Sequence, residues 1–203
     1  MLNRIREGET SLLRILIIAT ILLLLVGSAL AQDPNVKHFA KDGLSFDYPA
    51  TWQISDKSSQ QMQLLELAVG DVVVRVRSPR EWLKTPDKEA SARKLFQDQY
   101  VDDFMGQLEQ ASLHPKRSTV TTQISGADAE GARIRAVLDG EPGGMDSYFR
   151  FLSDRLVNLS IFASDKDIVK VAPGWDLIRN SIKVDPAPQP KATPQPSPAK
   201  GKP

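Results

Sequence analysis

The chain has 203 residues, of which 41% are hydrophobic and 25% charged, and its 26 Lys and Arg residues nearly balance 25 Asp and Glu residues. This composition is typical of a globular domain, and the absence of cysteine excludes a disulfide-stabilised scaffold. Nucleic-acid binders show a basic excess, which residues 32–184 lack because their acidic side chains outnumber the basic ones.

The first 31 residues have the pattern of a secretory signal peptide. A basic start precedes the apolar run 15–26, and Ala29 and Ala31 then supply the A-x-A cleavage pattern. We predict cleavage after Ala31 and a folded domain outside the cytoplasm, either periplasmic or secreted. The alternative is an uncleaved segment that anchors the same domain to the membrane with the same outward topology.

The segment 32–184 is the predicted folded domain, and alternating or β-branched runs predict strands in its first part. The segment 44–55 is interrupted by Pro49 and is typical of an edge strand. Two further runs, 62–69 and 72–77, are separated only by a Gly-Asp pair, which predicts a two-residue type II′ hairpin.

A long amphipathic helix is predicted from Pro86, because Thr85 can cap its first turn. Large apolar side chains then recur every three or four residues as far as position 111, and charged side chains occupy the other face. Three of these charged residues, Lys94, Asp98 and Asp102, are candidates for an interaction surface.

Strand patterns return after this helix, in the runs 118–124, 132–139, 145–152 and 155–163. Turns are predicted at 141–144 and at the Ser153-Asp154 pair, and Glu141 on the 140–144 loop is the fourth candidate interaction residue. A final helix is predicted after Pro173, since Trp175, Ile178 and Ile182 follow at helical spacing. The order of strands, long helix, strands and terminal helix predicts an α+β fold, in which helices flank an antiparallel β-sheet.

Four segments are the most distinctive of the chain: GLSFDYPATWQ, GADAEGARI, YFRFLSDRLVNLSIFAS and GWDLIRNSIKV. Together they resemble the PsbP-like superfamily, which includes an extrinsic photosystem II subunit and many bacterial envelope proteins. The resemblance covers about residues 37–184 and implies an antiparallel sheet between helices in an α/β/α sandwich. Members of this superfamily commonly serve as accessory subunits, so the resemblance also implies a non-catalytic role.

Neither an enzyme nor a cofactor or metal site is predicted. The sequence contains no cysteine, no P-loop, no G-x-S-x-G and no H-E-x-x-H motif. His38, just ahead of the first predicted strand, and His114, after the long helix, stand in no catalytic motif and are interpreted as surface or loop residues.

The last 19 residues, 185–203, hold seven of the chain's 14 prolines and no aliphatic side chain larger than Ala, which predicts a disordered tail. The whole chain is thus predicted to be an exported, non-catalytic accessory or protein-interaction module with an envelope protein as its partner. Membrane contact is expected only through an uncleaved signal segment or, weakly, through the cationic tail.

The alternative is a small-molecule or lipid carrier with a pocket between the sheet and the long helix. A cavity of about 300 Å³ or more beneath that helix would favour this alternative. A solid interior would favour the accessory role.

Overall fold

The computed structural model describes residues 35–80, 86–153 and 155–185. The predicted cleavage residues Ala29 and Ala31, the predicted helix cap Thr85 and the predicted tail beyond residue 185 lie outside them. Within the described part of the chain, no helix is long and apolar enough to cross a membrane.

A small antiparallel sheet joins the two ends of the described domain. Its strands are β1 (Val36–Lys41), β2 (Leu44–Pro49) and β10 (Lys183–Val184). Because β1 and β10 pair with the two sides of β2, the prediction of an edge strand is wrong for 44–49. His38 lies within β1 rather than ahead of the first strand.

Seven antiparallel strands form the central sheet. They are β3 (Gln53–Asp56), β4 (Met62–Val69), β5 (Val72–Pro79), β6 (Lys116–Ile124), β7 (Ala127–Leu138), β8 (Glu141–Leu152) and β9 (Arg155–Ser164). Across the sheet their order is β3-β4-β5-β9-β8-β7-β6, so β3 and β6 are its edges. The two-residue hairpin predicted between β4 and β5 is confirmed, since Val69 pairs with Val72.

The predicted turn at 141–144 is wrong. The chain reverses instead at Asp139 and Gly140, whose φ angles of 50° and 85° are those of a type I′ hairpin. Glu141 is therefore the first residue of β8 and does not lie on a loop. The glycines that suggested a turn serve close strand packing, because a Cβ on Gly144 would overlap the backbone of β7.

The predicted long helix is present but interrupted. It consists of α1 (Pro86–Arg93), a π-helical turn (Lys94–Asp98) and α2 (Gln99–Gln110). The terminal helix, α3 (Asp165–Ser181), begins well before Pro173, which lies inside it. It begins there because the Ser164 side chain accepts a hydrogen bond from the backbone N–H of Asp167 and caps the first turn.

The hydrophobic core has one part on each face of the central sheet. On one face α3 and the small sheet bury residues that include Phe46, Leu67, Val74, Leu159 and Ile178. On the other face α2 buries residues that include Val101, Leu108, Ile134 and Met145. Trp52 and Trp175 are each 6% exposed. The predicted α+β fold, with helices flanking an antiparallel sheet, is confirmed.

Candidate functional site

Three of the four predicted interaction residues lie on the long helix. Lys94 and Asp102 are exposed, and Asp98 is half-buried. Asp102 Oδ1 accepts a hydrogen bond of 2.8 Å from Nη1 of Arg117, which joins α2 to β6. This predicted surface is therefore accessible along the outer side of the helix.

Glu141 lies on a different element and lines a groove of about 680 Å³. The groove is open to solvent and lies at the end of the central sheet where the β4–β5 and β7–β8 hairpins turn, between α2 and the start of α3. We call it the turn-end groove. Its lining residues include Asp71, Val73, Phe104, Leu108, Leu138, Asp139, Glu141, Phe162, Lys166, Asp167 and Lys170.

The floor of the turn-end groove is apolar because the strand register places apolar side chains on one face. Val73 of β5 pairs with Phe162 of β9, and α2 contributes Phe104 and Leu108. The rings of Phe104 and Phe162 meet edge to face, with their centroids 5.4 Å apart. Both rings are half-buried, so part of this apolar floor faces solvent.

Two ion pairs stand on the rim of the groove. Glu141 accepts a hydrogen bond of 2.5 Å from Lys166, and Asp167 accepts one of 2.7 Å from Lys170. The hydrogen bond to Glu141 raises the pKa of Lys166, and the hydrogen bonds from Lys170 and Ser164 lower the pKa of Asp167. Both lysines are thus already engaged with carboxylates.

Two further rim carboxylates form no ion pair with the described residues. Asp71 and Asp139 occupy the tips of the two hairpins, and both are exposed. Neither makes an ion pair or a side-chain hydrogen bond within the described residues. The rim therefore has an acidic excess of two charges, which the sequence did not predict because the residues come from separate turns.

A buried polar row beneath the π-helical turn was also missed. Gln97 is 3% exposed, donates to the Ser147 carbonyl at 3.2 Å and accepts from the Asn158 side chain. The sequence pattern that could have indicated it is in β5, where Arg75 and Arg77 alternate with valines and so share the face beneath the helix. Arg77 contacts the Tyr100 ring at 3.8 Å, and burial lowers its pKa. These side chains fill the space between the helix and the sheet, so the polar row has a structural role.

Two other grooves, of about 640 and 530 Å³, flank α1. Both exceed the volume that would favour a carrier, but both are open at the sides of the helix. Beneath α2, by contrast, Val101, Leu108 and Met145 fill the space against the sheet.

Both histidines are exposed. His38 Nδ1 lies 2.6 Å from Asp47 Oδ1 on the exposed surface, and His114 is exposed with a φ of 44°. Among the described residues, no three His, Asp or Glu side chains gather in a way that could hold a metal ion.

No known family pattern and no curated protein matches this chain. Among solved structures, it is similar to the cyanobacterial PsbP of Synechocystis sp. PCC 6803, at 13% identity and a TM-score of 0.49, over 78% of this chain and 96% of that chain. A protein of Bacteroides thetaiotaomicron VPI-5482 has 10% identity and a TM-score of 0.46, over 74% of this chain and 49% of that chain. LpqN of Mycobacterium tuberculosis, which is involved in cell envelope biogenesis, has 10% identity and a TM-score of 0.39, over 76% and 94% of the two chains.

The first of these proteins bears the name of the family that the sequence resembles.

Proposed function

We propose that this chain is an exported, non-catalytic accessory module of the cell envelope, which binds a protein partner in the turn-end groove. The observation that supports the proposal is the combination of an apolar, aromatic floor with a charged rim in one open concave surface. Protein interfaces have this anatomy, a desolvated apolar centre inside a polar border. The signal-peptide pattern of residues 1–31 supports export, and the predicted tail 185–203 belongs to the same proposal.

The open shape of the groove favours a polypeptide over a carried small molecule. A carrier pocket encloses most of the surface of its ligand, typically about 70–90%. Phe104 and Phe162 form the floor of the turn-end groove, and the two ion pairs and the hairpin tips stand along its open rim. A polypeptide can cover such a groove with its own backbone and exclude water from the floor.

Site-specific photo-cross-linking in the native envelope tests the proposal. A photoreactive amino acid replaces Leu138 or Glu141 in the groove, Lys94 or Asp98 on the long helix, and Lys37 on β1 as a matched exposed control. We expect the two groove positions to give the same protein adduct, and Lys37 to give none.

Two outcomes contradict this proposal. A protein adduct from Lys94 and Asp98 alone would place the docking surface on the long helix and not in the groove. A lipid or small molecule attached at Leu138, without any protein adduct, would support the carrier alternative.

A further inference from the structure

We infer that the segment held in the turn-end groove is a peptide in which Lys or Arg side chains flank a bulky apolar residue. This inference rests on the proposed function, because it names the chemistry of the partner for the same groove. It follows from the charges of the rim and the exposure of the floor.

The rim attracts cations more than anions. Lys166 and Lys170 are each bound to a carboxylate, so neither is free to receive an anionic group. Asp71 and Asp139 stand at the tips of two separate hairpins and make no ion pair or side-chain hydrogen bond among the described residues, although Asp71 also acts electrostatically on Lys166. Basic side chains reaching both tips would therefore meet carboxylates that form no ion pair within the described part of the chain.

The start of α3 does not offset this preference. A helix N-terminus attracts anions through its unpaired backbone N–H groups and its dipole. Here Ser164 caps the first turn, and Asp165 and Asp167 already lie within it. The positive end of the helix is thus compensated by the protein's own carboxylates.

The floor requires a bulky apolar side chain between the basic ones. Phe104 and Phe162 present half-exposed ring surface, and Leu138 and Val73 adjoin them in the same groove. Burying this surface is favourable only if the occupant brings apolar surface of its own. A long flexible lysine stem can lie over such a floor while its ammonium group reaches the rim.

Fluorescence anisotropy with three synthetic peptides tests the inference on the full-length protein. The peptides are labelled and of equal length, with Phe alternating with Lys, Glu or Ser. We expect the Lys peptide to bind at least about tenfold more tightly than the Glu peptide, and this preference to shrink at about 0.5 M salt because exposed charges are then screened.

The double variant Asp71→Asn and Asp139→Asn should weaken binding of the Lys peptide about fivefold, as expected for two exposed ion pairs. Asparagine tolerates the left-handed backbone at position 139, so folding is preserved. The control variant Asp87→Asn and Asp128→Asn removes two exposed carboxylates elsewhere and should leave binding unchanged.

Equal binding of the Lys and Glu peptides, equal effects of the two double variants, or no binding of any peptide would overturn the inference. Such a result, combined with a protein adduct from Leu138 and Glu141, would leave the proposed docking function intact. The inference about the peptide's charge can therefore be refuted while the proposed docking function stands.

Discussion

A glycine inside α3 is explained by a tryptophan that packs against it. Glycine is a poor helix former, yet Gly174 lies in the middle of α3. A Cβ at this position would lie 2.6 Å from Cζ2 of Trp52 and 2.8 Å from Cγ of Pro49. The helix therefore accepts a poor helix former in order to approach the buried indole closely.

Two Gly→Ala variants should consequently shift stability in opposite directions. Gly106 in α2 has open space where a Cβ would be added, so Gly106→Ala should stabilise the protein by up to about 1 kcal/mol. Gly174→Ala should instead destabilise it by about 1–3 kcal/mol, because the indole must move. Urea denaturation of both variants measures this difference, and a gain in stability for Gly174→Ala would contradict the packing.

A buried arginine links the two sheets. Arg155 is 1% exposed and donates to the carbonyl oxygens of Pro79 at 2.8 Å and Asp42 at 2.9 Å, and to the side chain of Gln63. Burial lowers its pKa. Because Asp42 is in the turn between β1 and β2, this side chain fastens the small sheet to β5 and β9.

At the scale of elements, the π-helical turn sets which side of the long helix is buried. The sequence pattern places Phe96 and Tyr100 inward, and both are half-buried. Beside them, Gln97 and Val101, one position further along, are fully buried, and Leu108 is buried further down the helix. Because a π-helical turn inserts an extra residue, the buried face shifts in phase, and a strict period of 3.6 residues cannot predict it.

Replacing the buried glutamine should therefore be costly. In Gln97→Leu, the Ser147 hydroxyl loses its acceptor and the Ser147 carbonyl loses a donor, while Asn158 keeps its hydrogen bonds to Ser147 and Tyr148. We expect a loss of about 1–3 kcal/mol in the free energy of unfolding, because the buried Ser147 hydroxyl stays unsatisfied. The matched control is Gln107→Leu on the exposed side of α2, which should change stability by less than about 0.5 kcal/mol. Equal effects of the two variants would refute the role of the network.

At the scale of the whole molecule, the architecture follows from sequence periodicity, but several boundaries do not. Period-two runs predicted most strands of the central sheet. The short strands β1 and β10 were missed because they are held by pairing with β2 and not by a pattern of their own. The Asp139-Gly140 turn was missed although Asp-Gly is a strong hairpin signal, because the glycines at 143 and 144 moved the predicted turn to 141–144.

The candidate site is less predictable than the fold for a topological reason. The turn-end groove collects side chains from four strands, two hairpin tips and two helices, and only Glu141 among them was predicted. In the sequence, the residues of its apolar floor cannot be distinguished from ordinary core residues. The order of the strands in the sheet decides which of these residues meet, and local sequence patterns do not predict that order.

A charge network joins β7, β8 and the first turn of α3. Asp146, with a side chain 5% exposed, receives two hydrogen bonds from Arg133, of 3.0 and 2.7 Å, and an ion pair of 2.7 Å from Arg135. Arg135 also pairs with Asp165 at 2.6 Å. Burial by itself would raise the pKa of Asp146, but the two guanidinium groups outweigh it and lower the pKa below its usual value.

This network should make the protein lose stability in acid. A carboxyl group whose pKa is lower in the folded than in the unfolded state stabilises the fold above its unfolded pKa, about 3.9, and loses that contribution as the pH falls through the folded value. At pH 7, Asp146→Asn should lower the free energy of unfolding by about 2 kcal/mol, since two guanidinium groups lose their carboxylate. The gap between wild type and variant should then narrow as the pH falls below about 4, because protonation removes the same charge from the wild type. Urea midpoints measured from pH 7 to pH 3 test this, with the exposed Asp128→Asn as control; a gap that stays constant over that range would show that Asp146 acts through packing and not through its charge.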